Sequence, residues 1–161
     1  MKFRSILANT PALVGHWQAG LRALAREHSA RVDCRPTTRL RGSVSLDPIL
    51  AASRPGAPSW DYAIGWESRS GSECVCFAEV HPANNEHVRA IIQKKRSVLT
   101  WIGQDAPALL QLAVKAETAL NQPAFHWLAT DSGVAIRKGS RQSRMLQEAG
   151  IAGPKRRLVL P

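Results

Sequence analysis

Two consecutive strand-like segments constrain this 161-residue chain more than any other feature, because the hairpin that they predict brings one acidic residue from each to the end away from the loop. The first segment reads SWDYAIGWES and the second ECVCFAEVHP, and a short loop around Ser70 joins them. A hairpin centred on Ser70 places Asp61 directly opposite Glu79. Side chains that face each other across an antiparallel pair lie about 4.5–5.5 Å apart, and two like charges there are destabilising unless a positive group lies between them. The pattern therefore predicts a divalent cation between the two carboxylates.

The residues after the second acid add a histidine and a lysine to the predicted site. His81 falls on the same strand face as Glu79, because side chains alternate along a strand with a period of two. The helix predicted next, NNEHVRAIIQKKRSVLTWI, has an apolar stripe with Lys95 near its middle. A buried ammonium needs a partner, since an unpaired buried charge is strongly destabilising. We therefore expect the helix to bring Lys95 to Asp61, Glu79 and His81. The stripe consists of Val88, Ile91, Ile92, Val98, Leu99 and Ile102.

The distribution of charge predicts a polyanionic partner. The chain has 22 Lys and Arg against 12 Asp and Glu, a formal net charge of +10. Residues 1–46 carry eight basic and two acidic residues, residues 135–161 carry seven and one, and residues 47–134 carry seven and nine. Basic ends around a weakly acidic centre suit a nucleic acid held by flanking surfaces. The alternative is that the charge serves only solubility. The expected phosphate contacts are Arg137, Lys138, Arg141, Arg144, Lys155, Arg156 and Arg157.

Length and composition predict one globular domain, residues 1–161, because the chain is long enough for a core and 44% of it is hydrophobic. Three cysteines, Cys34, Cys74 and Cys76, provide neither a disulfide framework nor zinc-knuckle spacing. The first apolar run is interrupted at residues 9–11, unlike a signal peptide. No stretch approaches the roughly 18 apolar residues that span a bilayer. We therefore expect a cytoplasmic protein without a membrane partner.

Capping residues and periodicity give the expected order of elements. A first helix should begin after Thr10 and run to about His28, and a strand is expected at residues 43–46. Two strands and a helix follow in the segment already described. A second helix should run from Asp105 to about Leu120. The remaining elements are the strand FHWLAT, a three-residue turn at Asp131-Ser132-Gly133, its hairpin partner VAIR, the helix SRQSRMLQEAG and an edge strand in the tail KRRLVLP.

This order resembles the core of the PD-(D/E)XK nuclease superfamily, which is built from a helix, three strands, a helix and a strand. The resemblance covers about residues 11–130 and lies in Asp61 on the second core strand and Glu79-Val80-His81 on the third, just before a helix. It implies an α/β protein of three layers, α/β/α, with the αβββαβ core around a central mixed sheet. It also implies that Asp61 and Glu79 hold Mg²⁺ or Mn²⁺, with the main-chain carbonyl of Val80 as a further ligand, since such ions prefer oxygen ligands.

Two positions depart from the pattern of that family. Trp60 stands before Asp61 in place of proline, which matters little because the metal needs only the carboxylate. His81 stands where the family has a lysine that helps to orient the attacking water and offsets charge on the phosphate. Some members carry that side chain on the following helix, and Lys95 is where we expect it here. The alternative is that His81 acts alone as a general base, for which an imidazole pKa of about 6.5 is suitable.

The resemblance implies a metal-dependent nuclease, with DNA favoured over RNA as the substrate. Many relatives work as homodimers, which makes a homodimer a further expectation. Two alternatives stay open at this point. The first is a nuclease-like domain that binds nucleic acid or a protein without cutting, and His81 in the lysine position favours it. The second is a small α/β interaction protein with no nucleic-acid role, which requires the basic residues to be scattered over the surface.

Overall fold

A computed structural model describes residues 1–161, except for the side chains of Asp131 and Ser132. The strands are β1 (Val32–Cys34), β2 (Leu40–Ser45), β3 (Tyr62–Glu67), β4 (Glu73–Ala83), β5 (Phe125–Val134), β6 (Ile151–Lys155) and β7 (Leu158–Leu160). The helices are α1 (Phe3–Ala8), α2 (Arg26–Ser29), α3 (Asp47–Ser53), α4 (Val88–Asp105), α5 (Ala108–Leu120) and α6 (Arg141–Glu148). Short 3-10 turns occur at Pro11–Leu13, Thr37–Arg39 and Asn85–His87.

The centre of the fold is a mixed sheet of five strands in the order β2-β3-β4-β5-β6. The first three strands pair antiparallel, whereas β5 runs parallel to β4 and β6 runs parallel to β5. Parallel neighbours need a long crossover connection, which α4 and α5 provide between β4 and β5. The predicted α/β class with a mixed sheet is confirmed. β1 and β7 form a separate parallel pair.

The hairpin of β3 and β4 has the register that the sequence predicts. The backbone N–H of Ser68 donates to the carbonyl of Ser72 at 2.8 Å, and Gly71 supplies the positive φ of 81° that the turn requires. Because side chains alternate in strands, this register decides which residues share a face of the sheet. The cross-strand pairs include Glu67 with Glu73, Gly65 with Val75 and Ala63 with Phe77.

The first face of the sheet is covered by helices. Phe3 of α1 packs against Gly65 so closely that a Cβ added to this glycine would lie 2.3 Å from the phenyl ring. Phe77 is on the same face and stacks on Phe125 of β5, with ring centroids 4.6 Å apart. Lys95 of α4 lies over the Phe125 ring, 5.0 Å from its centroid. Thus α1 and α4 pack on one side of the central sheet.

The second face carries Tyr62, whose hydroxyl lies 2.8 Å from Nδ1 of His28 in α2. The predicted helix from Thr10 to His28 is wrong. Residues 3–8 are helical instead, and only a 3-10 turn and α2 form within the predicted span. Gly15 and Gly20 adopt φ angles of 81° and 56°, which a right-handed helix cannot contain.

Both helices predicted between β4 and β5 are confirmed. The Asn84 side chain accepts a hydrogen bond from the N–H of Glu86, which caps the 3-10 turn that leads into α4. α5 begins after Pro107 and ends at Asn121, which has a left-handed φ of 51°. Among the described helices none has the length and apolar character needed to cross a bilayer.

The C-terminal third differs from the prediction in its pairing. Val134, from the predicted hairpin partner VAIR, pairs with Ala83 of β4, and the other neighbour of β5 is β6. The predicted turn at residues 131–133 is wrong, because β5 continues through these positions to Val134. The predicted last helix is confirmed as α6, and the Ser140 side chain caps it by accepting from Ser143 N–H. The tail forms β7, which pairs with β1 rather than joining the central sheet.

We predict that Gly65→Ala destabilises the protein, because the new methyl group would force Phe3 and α1 away from the sheet. Overpacking of this kind costs about 1–3 kcal/mol, which urea unfolding followed by circular dichroism would measure. Gly103→Ala is the matched control. Gly103 lies inside α4 with nothing within 4 Å of an added Cβ, so alanine there should stabilise by about 0.5–1 kcal/mol. Equal stability of the two variants would contradict the packing described.

Candidate functional site

Asp61 and Glu79 meet at the end of the β3–β4 hairpin that lies away from its turn. Glu79 Oε2 accepts a hydrogen bond from the backbone N–H of Asp61 at 3.0 Å, and Asp61 Oδ2 accepts one from the backbone N–H of Val80 at 2.9 Å. Each carboxylate is therefore held by the backbone of the opposite strand. Glu79 is fully buried, whereas Asp61 is partly exposed. The pair that the sequence predicts is present, with one acid open to solvent.

Lys94, and not Lys95, is the lysine beside these acids. Its Nζ donates to Glu79 Oε1 in an ion pair whose lysine side chain is 26% exposed. The prediction that Lys95 joins the carboxylates is wrong. The ammonium of Lys95 instead donates to the backbone carbonyls of Ala149 and Gly150, the latter at 3.1 Å, beyond the end of α6. Successive helical residues differ by about 100° in direction, so adjacent lysines on α4 reach different partners.

Burial and mutual repulsion raise the proton affinity of both carboxylates. Burial and, after it, the charge of Asp61 raise the pKa of Glu79 from 4.5 to about 7, while Lys94 and the backbone N–H of Asp61 oppose the increase. Burial also raises the pKa of Asp61, against the lowering effects of the Val80 N–H and Lys94. Without a further cation, the pair therefore holds a proton more readily than isolated carboxylates do.

His81 lies beyond Glu79 and forms a pair with His87. The Nδ1 atoms of His81 and His87 lie 3.0 and 2.8 Å from the backbone carbonyl of Pro82, and the ring centroids are 4.4 Å apart. A carbonyl only accepts, so Nδ1 carries the hydrogen in both rings and Nε2 is left as the acceptor in the neutral form. Burial lowers the pKa of His81, with His87 and Lys94 adding to the effect and the Pro82 bond opposing it. His81 therefore presents a neutral imidazole with a free lone pair.

Further charged groups lie within electrostatic range of Asp61. His28 lowers its pKa and Asp47, the first residue of α3, raises it. No group of three or more His, Cys, Asp or Glu side chains converges as a metal cage among the residues with described side chains. Asp61 and Glu79 are the two carboxylates that this site offers to a cation. Oδ1 of Asp61 accepts no hydrogen bond from the described residues, whereas Glu79 Oε1 is engaged by Lys94.

The predicted phosphate contacts divide into two groups. Arg137 and Lys138 precede α6 and Arg141 and Arg144 lie on it, all exposed. Lys155 of β6 donates a hydrogen bond at 2.9 Å to Oε1 of Gln122, which precedes β5.

The second group consists of Lys155, Arg156 and Arg157, and the two arginines are exposed. Arg157 lies 4.0 Å from Asp33 in β1, and Arg156 is the nearest neighbour of a Cβ added to Gly133, at 3.4 Å. The α6 group is therefore the one associated with the α4 side of the site, since α4 and α6 are in contact.

Lys94 and His87 are the site residues that sequence reasoning missed. Helical periodicity places Lys94 outside the centre of the apolar stripe and its neighbour Lys95 inside it, which favours the wrong lysine. His87 follows His81 by six residues, a spacing with no standard ligand meaning. The signal that could have identified it is Asn84, which caps the 3-10 turn that ends at His87 and follows the end of β4.

Comparison with models of known protein families, with curated protein sequences and with solved structures gives no match in any of the three. The assignment of a function therefore depends on the geometry of the site.

We predict that the stability of the metal-free protein falls as the pH rises from about 4.5 to 7. The pKa of Glu79 is 4.5 unfolded and about 7 folded, so the folded state binds more protons in this window and ionisation opposes folding. The difference corresponds to about 3 kcal/mol. Urea unfolding in EDTA between pH 4.5 and 8 would measure it for the wild type and for Glu79→Gln.

The Glu79→Gln profile should lack this decrease, because glutamine does not titrate. Glu86→Gln, at an exposed residue, is the control and should follow the wild type. Parallel profiles for the wild type and Glu79→Gln would show that Glu79 has an ordinary pKa in the folded state.

Proposed function

We propose that this protein is a metal-dependent phosphodiesterase that acts on nucleic acid, with a core of the PD-(D/E)XK type. The observation that carries the proposal is the juxtaposition of Asp61 and Glu79, from adjacent antiparallel strands, with Lys94 from the helix that follows. The order of elements supports it as well. An antiparallel β2–β3–β4 unit, the α4 crossover and β5 parallel to β4 form the arrangement expected of that core.

The residues at this site fit Mg²⁺ or Mn²⁺. Asp61 and Glu79 would hold the ion together with the backbone carbonyl of Val80, a set of oxygen donors that leaves room for water. No residue with a described side chain donates a hydrogen bond to Asp61 Oδ1, and Lys94 would have to share or yield Glu79 Oε1. When bound, the ion would supply Lewis-acid polarisation of the phosphate and lower the pKa of a bound water.

The protein's own groups would take the remaining roles. Lys94 replaces Lys95 as the proposed catalytic lysine, because its ammonium lies beside the acids and can stabilise negative charge that develops on the phosphate. The Nε2 atom of His81 would accept the proton of the water whose oxygen attacks phosphorus. The role of Lys95 is structural, since it joins α4 to the end of α6.

A second candidate function is nucleic-acid binding without cleavage, as a nuclease-like domain. The ion pair between Lys94 and Glu79 favours it, because this pair satisfies the buried carboxylate without a metal ion. The pKa of about 7 for Glu79 points the same way, since a protonated acid is a poor ligand. Under either function the exposed arginines of α6 would bind phosphates, with DNA as the proposed partner. A homodimer is part of the proposal for cleavage of two strands.

We predict that the purified protein cleaves plasmid or single-stranded DNA in Mg²⁺ or Mn²⁺. Asp61→Ala should remove the activity, and Lys94→Met should reduce it by about 10²–10³-fold, the effect of losing one transition-state donor. Lys95→Met is the matched control on the same helix and should cut at a rate near that of the wild type. Gel assays over time would measure all four proteins. Equal cleavage by the wild type and Asp61→Ala would rule out this site.

We predict that Mn²⁺ stabilises the wild type against heat but not Asp61→Ala. Saturation at 100 times Kd would add about 2.7 kcal/mol to the free energy of unfolding. The increase in Tm should be larger at pH 8 than at pH 5.5, because protons compete with the metal for Glu79. Differential scanning fluorimetry at both pH values would measure it. Identical shifts for the two proteins would favour the binding function over catalysis.

A further inference from the structure

A large cleft lies at the turn end of the β3–β4 hairpin, where α1, β2, the turn and α5 form its walls. Its volume is about 1150 Å³, slightly above the range of about 300–1,000 Å³ that is typical of small-molecule sites. Glu73 lines the cleft and lies six residues before Glu79 on β4. Strands rise by about 3.3 Å per residue, so the cleft is roughly 20 Å from the acid pair. The cleft is therefore a separate site.

Trp17 forms one wall of this cleft and is held against β2. Its indole N–H donates to the backbone carbonyl of Arg41 at 2.9 Å. The next residue, Gly42, has a φ of 117°, and a Cβ there would lie 2.1 Å from the indole nitrogen. The strand pairing shifts between Leu40 and Gly42, so a bulge in β2 makes room for the ring. Together the half-buried Trp17 and Leu40 give the cleft an apolar wall.

Three cations without carboxylate partners line the cleft. The guanidinium carbon of Arg4 lies 4.2 Å from the centroid of the Trp17 ring. This stacking uses the face of the guanidinium, which leaves the N–H donors in its plane available to an anion. Lys2, at the start of α1, and Lys115, on α5, line the same cleft. All three cations are exposed, and none forms an ion pair with a carboxylate among the described side chains. The cleft therefore favours a multiply charged anion.

The two carboxylates of the cleft are already paired with Arg41. Its Nη2 donates to Glu67 Oε2, and its Nε lies 3.6 Å from Glu73. Glu73 also accepts the backbone N–H of Phe3 at 2.7 Å. The Glu67 side chain is 35% exposed, and its Oε1 accepts no hydrogen bond from a residue with a described side chain. An ionised carboxylate accepts hydrogen bonds, so this oxygen suits the hydroxyl of a sugar. A longer phosphate backbone would instead bring further negative charge to both acids.

We propose that this cleft binds a nucleoside polyphosphate. The phosphates contact Lys2, Arg4 and Lys115, since charge-assisted hydrogen bonds to phosphate are strong. A ribose hydroxyl donates to Glu67 Oε1, and the base packs beside Trp17. Inorganic phosphate would use only the cations, and an uncharged ring would use only the apolar wall. The inference goes beyond the proposed function, because the cleft does not include Asp61 or Glu79 and binding requires neither a metal ion nor hydrolysis.

Calorimetric titration of the folded protein with ATP in EDTA at low salt tests the inference. We expect a Kd for ATP below about 1 mM, and we expect tripolyphosphate and adenosine each to bind at least about tenfold more weakly. Equal affinities for ATP and tripolyphosphate would overturn the assignment of a nucleotide. Failure of ATP to bind would overturn the site itself. Displacement of ATP by a single-stranded oligonucleotide at a concentration below the Kd of ATP would assign the cleft to a polynucleotide instead.

Two double variants locate the binding. Lys2→Ala/Lys115→Ala should raise the Kd of ATP by at least about tenfold, the loss expected when a charge-assisted contact is removed. Arg89→Ala/Arg96→Ala is the matched control, because it removes two exposed cations of α4 that do not line the cleft. The control should bind ATP as the wild type does. Equal losses in the two double variants would show a general attraction to positive charge and would overturn the site.

Trp17 provides a local measurement of where the base lies. The other four tryptophans of the chain are fully buried, so acrylamide should quench chiefly the fluorescence of Trp17; they are Trp60, Trp66, Trp101 and Trp127. Saturating ATP should reduce this quenching in the wild type and in the α4 control, whereas Trp17→Phe should show little quenching with or without ATP. Unchanged quenching of the wild type at saturating ATP would overturn the position of the base.

Discussion

The rest of the site depends on the reciprocal hydrogen bonds between two carboxylates and two backbone N–H groups. Asp61 N–H donates to Glu79, and Val80 N–H donates to Asp61, so each acid fixes the strand that carries the other. Two acids this close repel each other, and the backbone donors together with Lys94 offset that repulsion. Hydrogen bonds to an ionised acceptor are stronger than neutral ones. A slip of one residue in the hairpin would break both bonds and send one acid to the other face.

The register of this hairpin is predictable from the sequence because local chemistry determines it. A short polar loop fixes the turn, and alternation then places Asp61 opposite Glu79 without knowledge of any distant residue. The helices that follow are predictable for the same reason, since Asn84 and Pro107 mark their starts and Asn121 marks an end. These signals lie within a few residues of the structure that they specify.

Features that depend on tertiary contacts are not predictable in this way. Lys95 points closer to the centre of the apolar stripe of α4 than Lys94 does. Its partners, however, are the backbone carbonyls of Ala149 and Gly150, more than 50 residues later in the chain. Helical periodicity places Lys94 outside the apolar stripe, although its side chain is long enough to reach Glu79. The pairing of β1 with β7 joins Val32 to Leu158, and no local pattern identifies such a partner.

The ammonium beside the acids is delivered by a helix, fifteen residues after the carboxylate that it neutralises. The histidine at position 81 and the lysine that contacts Glu79 lie on different elements, so a substitution at one position leaves the other side chain in place. A sequence pattern that requires a lysine at a fixed short interval after Glu79 would therefore miss the ammonium that this fold places beside it. Such a site is identified by comparing the positions of side-chain atoms rather than by aligning sequences.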